Sequence, residues 1–220
     1  GDGGNAGSDD ATIRSADLNI GGAGTLAAEG TLELYTTDGS IAMNLGTGAA
    51  VAWELTDAEI GRLRDSGTVI VGEQGVQSQQ IRIQTVALPT GGGELTGVPM
   101  EFNADSGAGS IYLDDDSGGT PATALGHNGG GNAFTFRAGT GGVTANATDG
   151  NAEVSTTGIV SIISEGAVGT GTNRVSFAAS QDEVVVDTSA NGSDVYLHGV
   201  DTLDLGSAGA AIDTVSGAGG

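Results

Sequence analysis

The chain has no cysteine and no lysine, few aromatic residues and no long apolar run, and each of these lacks removes a class of protein. Without cysteine there are neither disulfides nor thiolate metal sites. No apolar run approaches the roughly 18 residues that a bilayer-crossing helix needs, so membrane insertion is not expected. The six basic residues are all arginines, set against 28 acidic ones, and the net charge is -22. So few cations cannot neutralise a run of phosphates, which argues against nucleic acid as a partner. Anionic membrane surfaces are disfavoured for the same reason. One Trp, three Tyr and four Phe leave a core of small and β-branched side chains.

Glycine is what the chain has in excess, 42 of 220 residues, without the every-third period of collagen. Apolar content is 37 % and mean hydropathy +0.01, too apolar for a disordered acidic chain. The acidity favours solubility in salt and makes divalent cations natural counter-ions. The sequence starts at Gly1 with no signal peptide, as expected of a processed form or a fragment.

Residues 1–10 read as a flexible arm or linker, 11–205 as a single β-domain with an irregular loop at 114–132, and 206–220 as a Gly-rich tail. Within the domain, short β-type segments alternate with Gly, Asp and Asn corners. They fall at 11–14, 18–20, 25–27, 31–35, 41–45, 50–53, 68–71, 80–86, 98–102 and 110–113. Further on, 133–137, 143–147, 152–155 and 159–163 recur about every nine residues, and 174–178, 183–186, 194–197 and 202–205 about every ten. Strands this close, joined by corners tolerant of positive φ, predict a right-handed parallel β-helix (a solenoid). The alternative is a β-sandwich of hairpins, whose immunoglobulin-type Cys and Trp markers are missing.

One segment has a helical period and predicts a short α-helix at about 56–66. Thr56 and Glu59 have capping-box spacing, and Leu55 with Ile60 can form a hydrophobic staple. Asp57 and Glu59 lie near the positive end of the dipole, Arg62 and Arg64 near the negative end. Gly67 suits a left-handed terminator, and Thr68-Val69-Ile70-Val71 follows as a strand.

The run from Leu55-Thr56-Asp57-Ala58-Glu59-Ile60 to Gly67-Thr68-Val69-Ile70-Val71-Gly72, with the later Gly166-Ala167-Val168-Gly169-Thr170-Gly171 and Val175-Ser176-Phe177-Ala178, resembles segments of large filamentous-haemagglutinin-like surface adhesins of the two-partner-secretion type. The resemblance spans roughly residues 32–205 and is one of repeat phrasing. It implies export and a long right-handed parallel β-helical body. None of the three prolines follows Asn, so the Asn-Pro motif typical of the family's secretion domain is missing. The resemblance therefore implies body or stalk rather than export signal.

Candidate chemistry is sparse. His127 and His198 lie far apart without metal-ligand spacing and read as solvent-facing. No Gly-x-Ser-x-Gly elbow in a strand-turn-helix context points to a nucleophilic serine. A β-helical enzyme acting on acidic polysaccharides would want Arg or Lys for its substrate, and lysine is absent. A two-carboxylate glycosidase is a further alternative. Asp114, Asp115 and Asp116, followed by Ser117 and Gly118, form the candidate metal site, with calcium the expected ion because it prefers clustered oxygens on loops. A solvated acidic loop is the competing reading. Asn146-Ala147-Thr148 and Asn191-Gly192-Ser193 match the glycosylation sequon. Trp53 and Tyr35 suit either a sugar-stacking surface or the edge of the core, the latter preferred in a chain so poor in aromatics.

These observations lead to an expected non-enzymatic, extracellular or cell-surface structural protein: a stalk, fibre or adhesin module that stacks end to end into filaments. The expected partners are further copies, adjacent modules of a longer chain, or surface glycans. The alternatives are a calcium-dependent or carbohydrate-binding adhesive module and, further off, a polysaccharide-degrading enzyme.

Overall fold

In the computed structural model the described residues are 9–46, 51–64, 67–88, 95–117, 120–121, 123–126, 131–146, 151–178, 183–199 and 212–213. They are almost wholly β, in parallel sheets, with one short helix. Among them, antiparallel pairing occurs only where Asp116–Ser117 meets Thr120–Pro121.

Sheet I has eight strands in chain order: Ala11–Ser15, Thr31–Thr36, Thr68–Val71, Met100–Ala104, Phe134–Ala138, Ile159–Ser164, Glu183–Asp187 and Ile212–Asp213. Alternation decides which side chains are buried: in Thr31–Thr36, Leu32 and Leu34 are fully buried while Thr31 and Glu33 stay half-buried. Register then stacks like on like. Leu32, Val69, Met100, Phe134, Val160 and Val184 form one buried row. Leu34, Val71, Phe102, Phe136, Ile162 and Val186 form the next, which the half-buried Ile13 begins. The Phe102 and Phe136 rings lie 5.4 Å apart at 14° within that row.

Sheet II runs Gly142–Ala145, Ser110–Asp114, Ile81–Gln84, Met43–Gly46 and Trp53–Leu55. Its buried row is Val143, Ile111, Ile81, Met43 and Trp53, prolonged from Val143 by single bridges through Val168 to Val195. Sheet III runs Val86–Ala87, Leu125–Gly126, Val154–Ser155, Val175–Phe177 and Leu197–Gly199. From Thr68 to Ser155 the chain visits sheets I, II and III in turn, three times over. Corners between sheets need close backbone approach. At Gly72, φ is +85°, and a Cβ would stand 2.1 Å from the Asn103 carbonyl oxygen.

The expected helix is shorter than its sequence pattern. It covers Asp57–Ile60, and Gly61 caps it at φ −62° and ψ −4°. The next residues instead form the strand Leu63–Arg64, parallel to Leu26–Ala27, which buries Leu63 completely. The Leu26 N–H donates to the Arg62 carbonyl at 3.0 Å. Pairing with a distant strand thus overrides the local period. Gly67 is not a left-handed terminator, and its N–H donates to the Gly30 carbonyl at 2.7 Å. Residues 18–20 form no strand, because Ile20 packs in the core beside the helix as a loop residue.

Trp53–Leu55 lies on the opposite side of Met43–Gly46 from Ile81–Gln84. The chain therefore steps back one level to supply the outermost strand of sheet II, beside Ala11–Ser15. The Trp53 indole N–H donates to Ser15 Oγ at 3.3 Å, and the Trp53 side chain is fully buried. The supposed tail also contributes, since Ile212–Asp213 extends sheet I by pairing with Val186–Asp187. The end of the expected arm is held as well: the Gly30 N–H donates to the Asp9 carbonyl and the Thr31 N–H to the Asp10 carboxylate. Residues 202–205 lie outside the described residues.

Candidate functional site

The polar side chains with the strongest local demands collect at two places, the N-terminal level and the corner where sheet II turns into sheet III. At the first, Glu59 is a joint. One of its carboxylate oxygens accepts from the Thr56 N–H at 2.9 Å and the Thr56 hydroxyl at 2.8 Å. The other accepts from the Ile20 N–H at 2.9 Å. Burial pulls the Glu59 carboxyl up, but these bonds and the nearby Arg62 charge outweigh it and hold the group below its ordinary value. Arg62 reaches the Ile20 carbonyl oxygen. This locks the loop before Leu26–Ala27 onto the helix and leaves nothing reactive.

At the second place the three predicted aspartates have different surroundings. Asp114, 3 % exposed, accepts from Arg82 Nε at 2.9 Å and from Gln84 Nε2 at 3.0 Å. Arg82 also stands 5.7 Å over the Tyr112 ring. This is a charge-assisted structural tie across two strands of sheet II. Asp115 is fully buried. Asp116 opens the antiparallel hairpin, and its side chain lies outside the described residues. Among the described residues no group of three or more His, Cys, Asp or Glu side chains is placed to hold a metal ion.

Glu153, which sequence reasoning missed, is fully buried just before Val154–Ser155. Its Oε2 accepts from the Ser176 N–H, while Oε1 has no hydrogen-bond partner. Burial pushes its carboxyl up to about 7; the Ser176 bonds oppose the rise and the Asp115 charge adds to it. A lone carboxylate in Ala152-Glu153-Val154 looks like any solvated strand end, so no sequence signal marks it.

His198 pairs in register with Ser176, and its Nδ1 is 3.3 Å from Ser176 Oγ. A nucleophile–base–carboxylate relay needs the acid on the base's second nitrogen. Here the carboxylate bonds the serine backbone instead, so the three groups do not form one. His127 lies outside the described residues. Trp53 is fully buried and Tyr35 is 8 % exposed, so both belong to the core's edge and offer no stacking platform to a sugar. Of the sequons, Asn191 is held in a turn with Nδ2 on the Glu165 carbonyl at 3.2 Å. Residues 147–148 of the other sequon lie outside the described residues.

A shallow groove of about 160 Å³ lies against the outer side of sheet I, lined among others by Asp105, Arg137, Glu165, Asp187 and Ser189. Arg137 is committed to Glu101 at 3.0 Å, and hydrogen bonds from Ser189 hold Asp187 below its ordinary value. Comparison with known proteins returns no match, whether to a family model, to a curated protein or to a solved structure.

Proposed function

We propose that this chain is a right-handed parallel β-helix and serves as a non-enzymatic extracellular module, a stalk, fibre or adhesin segment that stacks end to end. The carrying observation is sheet I: eight parallel strands in chain order, with apolar side chains superposed row upon row. A chain that returns to the same sheet after passing through two others supports the reading of a coil, and parallel pairing within all three large sheets is what an antiparallel sandwich lacks. In such an array each level is stabilised by its neighbours, and the ends are weakest.

Support for stacking comes from Ala11–Ser15, which is paired with Thr31–Thr36 and, among the described residues, with no strand on its other edge. An open edge is a template for another strand. A second copy, or the next module of a longer chain, would continue the ladder there. In this reading the chain is a body segment of a large surface adhesin of the filamentous-haemagglutinin-like kind, and the acidic surface keeps it dispersed in salt. Light scattering and negative-stain imaging over a concentration series test the proposal. Concentration-dependent, unbranched filaments are expected, and a particle that stays monomeric across salt and calcium concentrations defeats it.

A further inference from the structure

On the outer side of sheet I, register stacks Asn103, Arg137, Ile163 and Asp187 in one row across four neighbouring strands. Asp105, Glu165 and Ser189 each lie two residues beyond a member of that row, where the chain leaves the sheet. Between the two series stand Ala138 and Ser164, a register pair of small residues. The result is the groove of about 160 Å³ lined by Asp105, Arg137, Ile163, Glu165, Asp187 and Ser189, among others. With strands ~4.8 Å apart, the four levels span about 14 Å. The groove lies on the flank of the molecule, on inner strands of sheet I and away from the Ala11–Ser15 edge.

Open donors and open acceptors stand side by side there. Arg137 gives its Nε to Glu101 at 3.0 Å, and among the described residues its Nη1 and Nη2 groups make no hydrogen bond. The Glu165 carboxylate is exposed and, among the described residues, makes none either. Asp105 accepts the Gly75 N–H on Oδ1 at 2.7 Å, and Asp187 accepts the Ser189 N–H on Oδ1 at 2.8 Å. These bonds orient both carboxylates and leave each Oδ2 open. Ile163, half-buried in the middle of the row, adds apolar surface between Arg137 and Asp187. One guanidinium against three carboxylates makes the groove net negative, so a sulfated, phosphorylated or sialylated ligand is repelled. A cationic ligand would suit the acids but would meet the guanidinium. A hydroxyl both donates and accepts, and so satisfies the two kinds of group at once.

We infer that this groove binds an uncharged hexose unit of a glycan. Ring hydroxyls would donate to the open oxygens of Asp105, Glu165 and Asp187 and accept from the Arg137 Nη groups, while a C–H face of the ring rests on Ile163. Hydrogen bonds to charged groups are the strong ones, which offsets the shallowness of the site. The volume admits one ring, with the rest of the glycan running out along the open groove. The site goes beyond end-to-end stacking and does not depend on it. In a filament each copy would present one such groove on its flank, and repetition would raise avidity.

The test applies the full chain, fluorescently labelled, to an array of oligosaccharides ending in glucose, galactose or mannose, beside sialylated and sulfated ones and a lysine-rich peptide. Binding to at least one neutral oligosaccharide, and to none of the sialylated or sulfated ones, is expected. Glu165→Ala and Arg137→Met should each weaken that binding about tenfold or more, as loss of a hydrogen bond to a charged group does. Asp17→Asn, an exposed acid at the N-terminal level, should leave it unchanged. Silence toward every neutral oligosaccharide overturns the inference, and so does capture of the peptide alone, which would mean that the acids hold a cation. Wild-type binding in both variants would overturn it too, by moving the site elsewhere. Arg137→Met also removes the ion pair with Glu101, so its melting temperature is read alongside. Should it unfold, Glu165→Ala decides alone, because that carboxylate makes no bond among the described residues. Light scattering on the same samples separates the two readings: a monomer that binds sugar defeats the stacking and supports the groove.

Discussion

Trp53→Ala probes the step back in the chain that completes the N-terminal level. The indole is fully buried against the row that continues through Met43 and Ile81. A buried Trp covers about 200 Å², worth about 5 kcal/mol at ~25 cal/mol per Å². Truncations of buried aromatics generally cost about 3–5 kcal/mol, because the cavity collapses only in part. We therefore expect a loss of about 4 kcal/mol in urea unfolding. Trp53→Phe gives up a long hydrogen bond to Ser15 but keeps most of the packing, so its loss should be about half as large. Location makes the test sharper. In an array coupled through nearest neighbours the damage stays local. Hydrogen exchange should show lost protection in Ala11–Ser15 and Thr31–Thr36, with Phe134–Ala138 and Ile159–Ser164 spared. A loss below about 1 kcal/mol, or an even loss of protection along the chain, would refute both the packing and the local coupling.

Two other perturbations address the same end of the molecule and its corners. Glu59 is held below its ordinary value, near 4.5, so on acidification the unfolded chain takes up this proton first. The stability it contributes is present above that range and is lost as pH falls through it. Glu59→Gln should therefore lower the urea midpoint at neutral pH and flatten its decline between about pH 6 and pH 3; a variant with the wild-type slope would show that the joint carries none of it. Among the glycines, Gly72→Ala forces a Cβ to 2.1 Å from the Asn103 carbonyl oxygen, whereas at Gly75, φ +73°, a Cβ meets nothing within 4 Å. Gly75→Ala should cost about 1 kcal/mol, from the backbone conformation alone, and Gly72→Ala about 3 kcal/mol or more. Equal melting temperatures for the two variants would mean that the corners are looser than drawn.

Local chemistry was legible wherever a residue's environment is set by its neighbours in sequence. Alternation in Thr31–Thr36, Phe134–Ala138 and Glu183–Asp187 marks strands because a pleated backbone sends successive side chains to opposite faces. The capping box at Thr56 and Glu59 is legible because its partners are three residues apart. The sequence by itself therefore determined an all-β chain of short segments, the start of its one helix, and a charge that disfavours polyanionic partners. It did not determine where that helix stops, because Leu63 is claimed by Leu26, far away in the chain. Nor could it reveal that Trp53 closes the first level or that Ile212 extends the last strand row. The candidate site was half visible: Asp115 stood out in its acidic run, but Glu153 did not. Only the stacking of levels brings those two carboxylates to one dry corner, since a parallel register joins residues that are a full circuit apart and leaves no trace of their meeting in the linear sequence.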